Sequence, residues 1–300
     1  MKHDKRIFAL GFFDGVHLGH QALLGECVRL AAEADCETAA ITFERHPQTL
    51  FSPTVPPLIN SLADRNRLLR EFGMDRVYAF PVTREVMGKP WEAFLDELVD
   101  NGAAGFVCGH DFRFGHMGRG NPELMKEFCL RRGLRWAIVP EQQLGGLRVS
   151  STYIRRQLES GDMQTAVRFL GHPHILTGRV VPGRQLGRRL GVPTANLRLP
   201  EDVAAPKFGV YVCRARIDGR CYPAVTNVGT RPTVSGTGVT VEAWILDFSG
   251  DLYDREITLE FYRFLRPEEK FPSLEALRSA IRRDAEQTRA FLEEWPVKDS

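Results

Sequence analysis

Between Arg6 and about Leu144, short apolar runs alternate with longer stretches of helical period. From Leu176 to Phe264 the apolar runs are short, closely spaced and almost without helical period. The first half predicts strands over Ile7–Phe12, Thr38–Phe43, Arg76–Phe80, Ala104–Cys108 and Arg135–Val139, with helices over Gly19–Ala34, Ser61–Phe72, Pro90–Asn101 and Pro122–Arg132. Ser61 followed by Asp64 has the form of a capping box, and Pro90 and Pro122 stand where a first helical turn tolerates proline. Such alternation predicts a mainly parallel sheet covered by helices on both faces, with ligands beyond the carboxyl ends of the strands.

The residues just after those strands are the unusual ones. Phe12-Phe13-Asp14-Gly15-Val16-His17-Leu18-Gly19-His20 turns through glycines from the first apolar run into a helical pattern. A turn of this kind gathers backbone N–H groups and the positive end of a helix at one spot, which suits a phosphate. His17 and His20, three residues apart, then face the same ligand. The second strand ends in Thr42-Phe43-Glu44-Arg45-His46-Pro47, and the fourth in Gly109-His110-Asp111-Phe112-Arg113-Phe114-Gly115-His116. Beyond the fifth, Val149-Ser150-Ser151-Thr152-Tyr153-Ile154-Arg155 opens a helix with hydroxyls at its start and Arg155 one turn in. Taken singly, these tips read equally as a surface turn, a loop or an N-cap. Four at one sheet edge read together as a nucleotide site.

Gln157–Gly171 is helical with a break at Ser160-Gly161, and the character changes at Gly171-His172-Pro173. Strand candidates follow at Ile175–Val181, Gly209–Ile217, Arg220–Asn227, Thr240–Phe248 and Glu256–Arg263, with a hairpin turn at Asp218-Gly219 and a final helix within Pro267–Trp295. This pattern predicts an antiparallel barrel or sandwich closed by a C-terminal helix. The fold class is thus α/β plus β, with a first domain at 1–156, a linker at 157–174 and a second domain at 175–300. In the second domain, residues 177–196 are rich in glycine and arginine, but G-K-[ST] is absent, so the segment is not a P-loop. By itself it describes a mobile loop or a general anion site. Glu242 interrupts Val241–Leu246 and shares a face with Trp244 and Leu246, as a carboxylate at an exposed edge or one with a chemical task.

Composition narrows the classes. A chain of 300 residues is long for one core, and a net charge of +2 from 40 basic and 38 acidic residues gives no footprint for nucleic acid or an anionic membrane. The six cysteines form no C-x-x-C pair and read as reduced thiols. The basic Met1–Arg6 is followed by an apolar run that stops at Gly11, a first strand and not a signal peptide. No apolar segment approaches the roughly 20 residues of a membrane span, and a cytoplasmic protein is expected.

Phe13–His20, Thr42–Pro47, Gly109–Gly115 and Ser150–Arg155 together resemble the adenylyltransferase module of bacterial bifunctional riboflavin kinase/FAD synthetases. Pro193-Thr194-Ala195-Asn196 resembles the P-T-A-N signature of the riboflavin kinase module, and the likeness continues through Gly209-Val210-Tyr211, Asn227–Thr233, Leu246–Phe248 and Phe264-Leu265-Arg266. The resemblance implies a Rossmann-like nucleotidyltransferase domain followed by a kinase barrel. It implies attack of the FMN phosphate on the α-phosphorus of ATP in the first domain, with His17 and His20 as phosphate donors. Phe12, Asp14, Gly15, Gly109, Asp111, Ser151, Thr152 and Arg155 would complete that ATP site.

In the second domain it implies riboflavin phosphorylation by ATP. Gly178, Val180, Gly183, Gly187, Gly191, Pro193 and Thr194 would surround the nucleotide, and Thr194 and Asn196 would hold Mg²⁺. Glu242 would act as base on the ribityl hydroxyl, its pKa raised by partial desolvation, and Asn227 and Arg266 would contact the flavin. Riboflavin, FMN and ATP are the implied small-molecule partners, with neither nucleic acid nor membrane among them; the oligomeric state stays open. The chain departs from the family pattern at Pro182, where many relatives carry histidine, at Asp254, where glycine is usual, and at Ala224, which replaces a frequent glycine. Two other readings remain: a nucleotidyltransferase with a different substrate, and a flavin-binding regulator with decayed catalysis, against which the intact His17, His20, Thr194, Asn196 and Glu242 argue.

Overall fold

Five parallel strands carry the first half: β1 (Arg6–Leu10), β2 (Glu37–Phe43), β3 (Arg76–Phe80), β4 (Ala103–Gly109) and β5 (Arg135–Val139). Their order is β3-β2-β1-β4-β5, in a computed structural model that describes residues 5–183, 192–233 and 236–295. The order reverses between β1 and β4, and the crevice beyond their carboxyl ends is where such sheets hold ligands. Side-chain alternation along β1 divides the core. Phe8 and Leu10 join Ala39, Ile41, Phe106 and Cys108 against Leu95 of α4 (Trp91–Asp100) and Met125 and Phe128 of α5 (Pro122–Arg132). On the alternate positions, Ile7 and Ala9 are fully buried, and the Cys27 thiol of α1 (Leu18–Ala34) donates to the Ile7 carbonyl at 3.3 Å. Each fully buried Leu or Phe contributes roughly 1.5–3 kcal/mol relative to exposure. Two further helices lie in this half, α2 (Leu62–Glu71) and the short α3 (Arg84–Met87), the latter absent from the periodicity because it makes only one turn.

The chain divides into two compact units, one through Leu58 and from Leu62 to Ser151, the other comprising Ile59–Ser61 and everything from Thr152 onward. The first unit also holds a small hairpin, β6 (Gln143–Leu144) and β7 (Leu147–Arg148), turned on Gly145 and Gly146, both at positive φ. The second unit continues α6 (Ser151–Ser160) into α7 (Met163–Leu170), with the break at Gly161 (φ +87) that the sequence marks.

Its sheet has six strands: β8 (His174–Arg179), β9 (Thr194–Arg198), β10 (Gly209–Ile217), β11 (Arg220–Thr233), β12 (Gly236–Ile245) and β13 (Glu256–Arg266), ordered β8-β13-β10-β11-β12-β9. All neighbours are antiparallel. The two edges meet just past the end of β8, where the Val181 N–H donates to the Asn196 carbonyl at 2.8 Å, closing the sheet into a barrel. Asp218 (φ +48) and Gly219 (φ +78) form the expected hairpin turn between β10 and β11.

The terminal helix α8 (Leu274–Glu294) packs outside that barrel. Ala285 meets Val210, Val225 and Leu246, and Leu292 meets Val212 and Tyr262. Arg214 on β10 is buried and donates to the Leu292 carbonyl at 3.2 Å, to the Tyr262 hydroxyl at 3.2 Å and to the Trp295 carbonyl, so it caps the helix where carbonyls lack partners.

His174, at the start of β8, is 1% exposed, its ring 5.7 Å from that of Phe261, and its Nδ1 has no hydrogen-bond partner among the described residues. Burial, with a smaller effect of His172, lowers its pKa from 6.5 to about 4. Between those values the unfolded chain binds a proton that the folded chain does not, so stability is full above pH 6.5 and falls as the pH drops toward 4. Unfolding of the second unit by denaturant is expected to lose on the order of 2 kcal/mol between pH 7 and pH 5. His174→Gln should flatten that dependence; an equally steep profile in the variant refutes the assignment.

Candidate active sites

The turn between β1 and α1 is built from strained backbone. Phe13 (φ +59) and Val16 (φ +40) occupy left-handed conformations that a side chain resists, beside Gly15 (φ +82). Local bonds fix the shape. Val16 N–H donates to the Phe13 carbonyl at 3.1 Å, Gln21 Nε2 to the Val16 carbonyl at 2.8 Å, Ser151 Oγ to the Asp14 carbonyl at 2.8 Å and Thr42 Oγ1 to the Phe12 carbonyl at 2.7 Å.

His17 is the N-cap of α1, its Nδ1 accepting from the His20 N–H at 3.3 Å, so the ring proton sits on Nε2. Gly19 leaves room for this cap, since a Cβ there would stand 3.2 Å from the His17 ring. The His17 and His20 rings stack with centroids 3.7 Å apart. His20 has its Nδ1 buried without a partner among the described residues. Burial, then His17 and then Arg65, hold its pKa well below the usual imidazole value. Both expected histidines thus stand together at a helix N-terminus.

The other tips surround them differently. The 110–120 loop is packed, with the Phe112 and Phe114 rings stacked at 5.6 Å and an isolated bridge joining Phe114 to Gly120. Gly109 ends β4, while Asp111 is exposed and ion-paired with Arg148 of β7, which also meets Glu141 at 3.2 Å. Ser151 touches the Asp14 backbone; Thr152 and Arg155 follow it in α6 and group with the second unit.

Arg65 was not among the residues the sequence singled out. It lies on the buried face of α2 with Asp64, Leu68 and Leu69, 0% exposed, its guanidinium 4.5 Å from the Phe12 ring and donating to the Phe43 carbonyl. The available signal was an arginine at helical spacing with apolar positions.

The second unit holds a cavity of about 240 Å³ lined by Val180, Gly183, Pro193, Thr194, Asn196 and the 248–253 loop, among others. A Cβ at Gly183 would lie 2.4 Å from Asn196 Nδ2, so a side chain there would displace that amide. Gly178 instead packs within the barrel against Leu197, and Gly187 and Gly191 lie outside the described residues. Asp254, at the position where glycine is usual, has φ +61, a conformation that aspartate tolerates better than most residues. Ala224 is a buried barrel position opposite Cys213 and Ile245.

Register places Asn196 of β9, Glu242 of β12 and Asn227 of β11 side by side in one row across three strands. Glu242 is half-buried, with Val241 and Ala243 on the opposite, fully buried face. Asn227 Nδ2 donates to Glu268 Oε1 at 2.9 Å, a partner without a sequence signal because it lies outside any strand. Arg266 is engaged by the buried Asp284 of α8 through Nε–Oδ1 at 3.1 Å and Nη2–Oδ2 at 2.8 Å, and its ion pair ties α8 to the end of β13.

Among the described residues no group of three or more His, Cys, Asp or Glu side chains could hold a metal ion. Thr194 and Asn196 offer neutral oxygens beside the cavity, donors that fit a hard cation delivered with nucleotide phosphates.

Comparison with known proteins follows the same division. The family model for FAD synthetase matches residues 1–153, and the model for riboflavin kinase matches residues 170–292. The bifunctional riboflavin kinase/FMN adenylyltransferase of Pseudomonas fluorescens is 38% identical over 96% of this chain and 94% of its own length. That of Listeria monocytogenes is 33% identical over 95% and 92%. A crystal structure described as a macrolide-efflux protein from Streptococcus pneumoniae superimposes with a TM-score of 0.84 at 29% identity, over 96% of this chain and 97% of that one. No described helix here is long and apolar enough to cross a membrane.

Proposed function

The chain belongs to the bifunctional riboflavin kinase/FMN adenylyltransferases, and on that premise we propose how its residues divide the two reactions. The enzyme phosphorylates riboflavin to FMN and adenylylates FMN to FAD. Adenylyl transfer belongs to the first unit. There a phosphate oxygen of FMN attacks the α-phosphorus of ATP, the bond to the bridging β-oxygen breaks, and pyrophosphate leaves. His17 Nε2–H, His20 and the N-terminus of α1 hold the phosphoryl oxygens as charge shifts toward the leaving group. Asp14, Gly15 and Gly109 shape the nucleotide pocket. Ser151 fixes the turn through the Asp14 carbonyl.

Kinase chemistry belongs to the barrel, and the row Asn196–Glu242–Asn227 carries this reading. Asn196 borders the nucleotide cavity on one side of Glu242, and Asn227 lies on the other, so the carboxylate stands between donor and acceptor. Glu242 takes the proton of the ribityl 5′-hydroxyl as its oxygen attacks the γ-phosphorus; the bond to the bridging β-oxygen breaks and ADP leaves. Mg²⁺ bound with ATP would be held by Thr194 and Asn196 and would supply charge neutralisation on the phosphates. Asn227 and the Arg266 region border the flavin. All six cysteines are free thiols, in keeping with our placing the enzyme in the cytoplasm.

Supplying riboflavin alone and then FMN alone, each with Mg-ATP, tests the scheme. FMN followed by FAD is expected from the first acceptor and FAD directly from the second. Failure of either acceptor removes the corresponding reaction from the proposal.

A further inference from the structure

A buried arginine is costly unless its surroundings are built for it. Arg65 of α2 is fully enclosed, and both of its contacts described above are to the phosphate-binding edge of the sheet. Its guanidinium lies 4.5 Å from the Phe12 ring, at the end of β1, and donates to the Phe43 carbonyl, at the end of β2. Phe12 in turn meets the His46 ring edge-on at 5.1 Å and accepts from Thr42 Oγ1 through its carbonyl at 2.7 Å. One side chain therefore ties together the two strand ends from which the first two tips emerge. We propose that Arg65 is a positioning residue for adenylyl transfer, locking the Phe12 and Phe43 strand ends together and placing a permanent positive charge beside the strand end that leads into the His17–His20 turn.

The chemistry that needs such a charge is the handling of a triphosphate. If the site's positive charge came from imidazolium, phosphate binding would rise and fall with pH inside the working range. With a guanidinium beside the strand end, His20 remains a neutral donor and the field on the phosphoryl oxygens is constant. The charged and titratable groups on the elements around His20 are Asp14 and His17 on the turn, Asp64 and Arg65 on α2, and His46 after β2. Of these, His17 and Arg65 act on the His20 ring, both disfavouring its protonation. The Phe13 ring meets His20 edge-on at 5.3 Å and adds no charge. This role rests on assigning adenylyl transfer to the first unit.

The test is titration of the His20 ring by NMR in the full-length protein, with its signal assigned by loss in His20→Gln, for the native chain, Arg65→Met and Arg65→Lys. Methionine keeps bulk and removes charge; lysine keeps charge and removes the planar fork. In Arg65→Met the His20 titration is expected to rise. FAD formation from FMN should fall at least about tenfold near neutral pH, with riboflavin phosphorylation retained as the measure of folding. Arg65→Lys should leave the His20 titration in place while losing rate. An unmoved His20 titration in Arg65→Met overturns the proposal. So does an equal rise in Arg65→Lys, which decides the matter should the methionine variant not fold. The titration needs no substrate, so failure of the site assignment would show separately, as FAD formation persisting in His20→Ala.

Discussion

Replacing His20 with alanine is expected to lower FAD formation from FMN by about 10²–10³-fold, the usual loss when a donor to developing charge is removed. FMN formation from riboflavin should keep its rate. The ring has its Nδ1 buried, is stacked 3.7 Å from His17 and stands at the start of α1, so its removal withdraws the proposed donor from the first unit. Product analysis with each acceptor separately checks this. Equal loss of both products would mean that the two reactions share a site, against the division proposed above.

The complementary substitution, Glu242→Gln, is expected to lower FMN formation by about 10²–10⁴-fold, the range that a positioned general base contributes. FAD formation from supplied FMN should be unaffected. Glutamine keeps the size and the β12 register but cannot accept the hydroxyl proton, so KM for ATP should change far less than kcat. If kcat stays within about threefold of the native value, a range well below a general base's contribution, the carboxylate is not the base and serves only the strand.

The fold of the first half was legible because its signals are local. Runs such as Ile7–Leu10 and Arg76–Phe80 coincide with strands, and Pro122 with a helix start, since periodicity and proline geometry are read within a few residues. The histidine turn was legible for the same reason. Strand β9 was not anticipated as a strand. Thr194–Arg198 is brief and follows a glycine-rich stretch, and only pairing with β12 makes it a strand. Side-chain partnerships over long sequence distance were also silent. Arg65 meets Phe12 and Phe43 through packing of α2 on the sheet edge, and Arg266, read from the resemblance as a flavin contact, makes its ion pair with Asp284 eighteen positions on. Nothing in the alternation of apolar and polar residues encodes either pairing. The row Asn196–Glu242–Asn227 required the register of three strands, although each member had been singled out separately.

The barrel seam separates two kinds of failure. Val181 closes on the main-chain carbonyl of Asn196 and not on its side chain. Every amino acid at position 196 brings that carbonyl, so inheritance can rewrite the amide beside the cavity while the closing bond is retained. Faults of chemistry and faults of folding can therefore arise independently at one residue. A lineage that lost kinase activity here could retain a closed barrel, available for a different ligand.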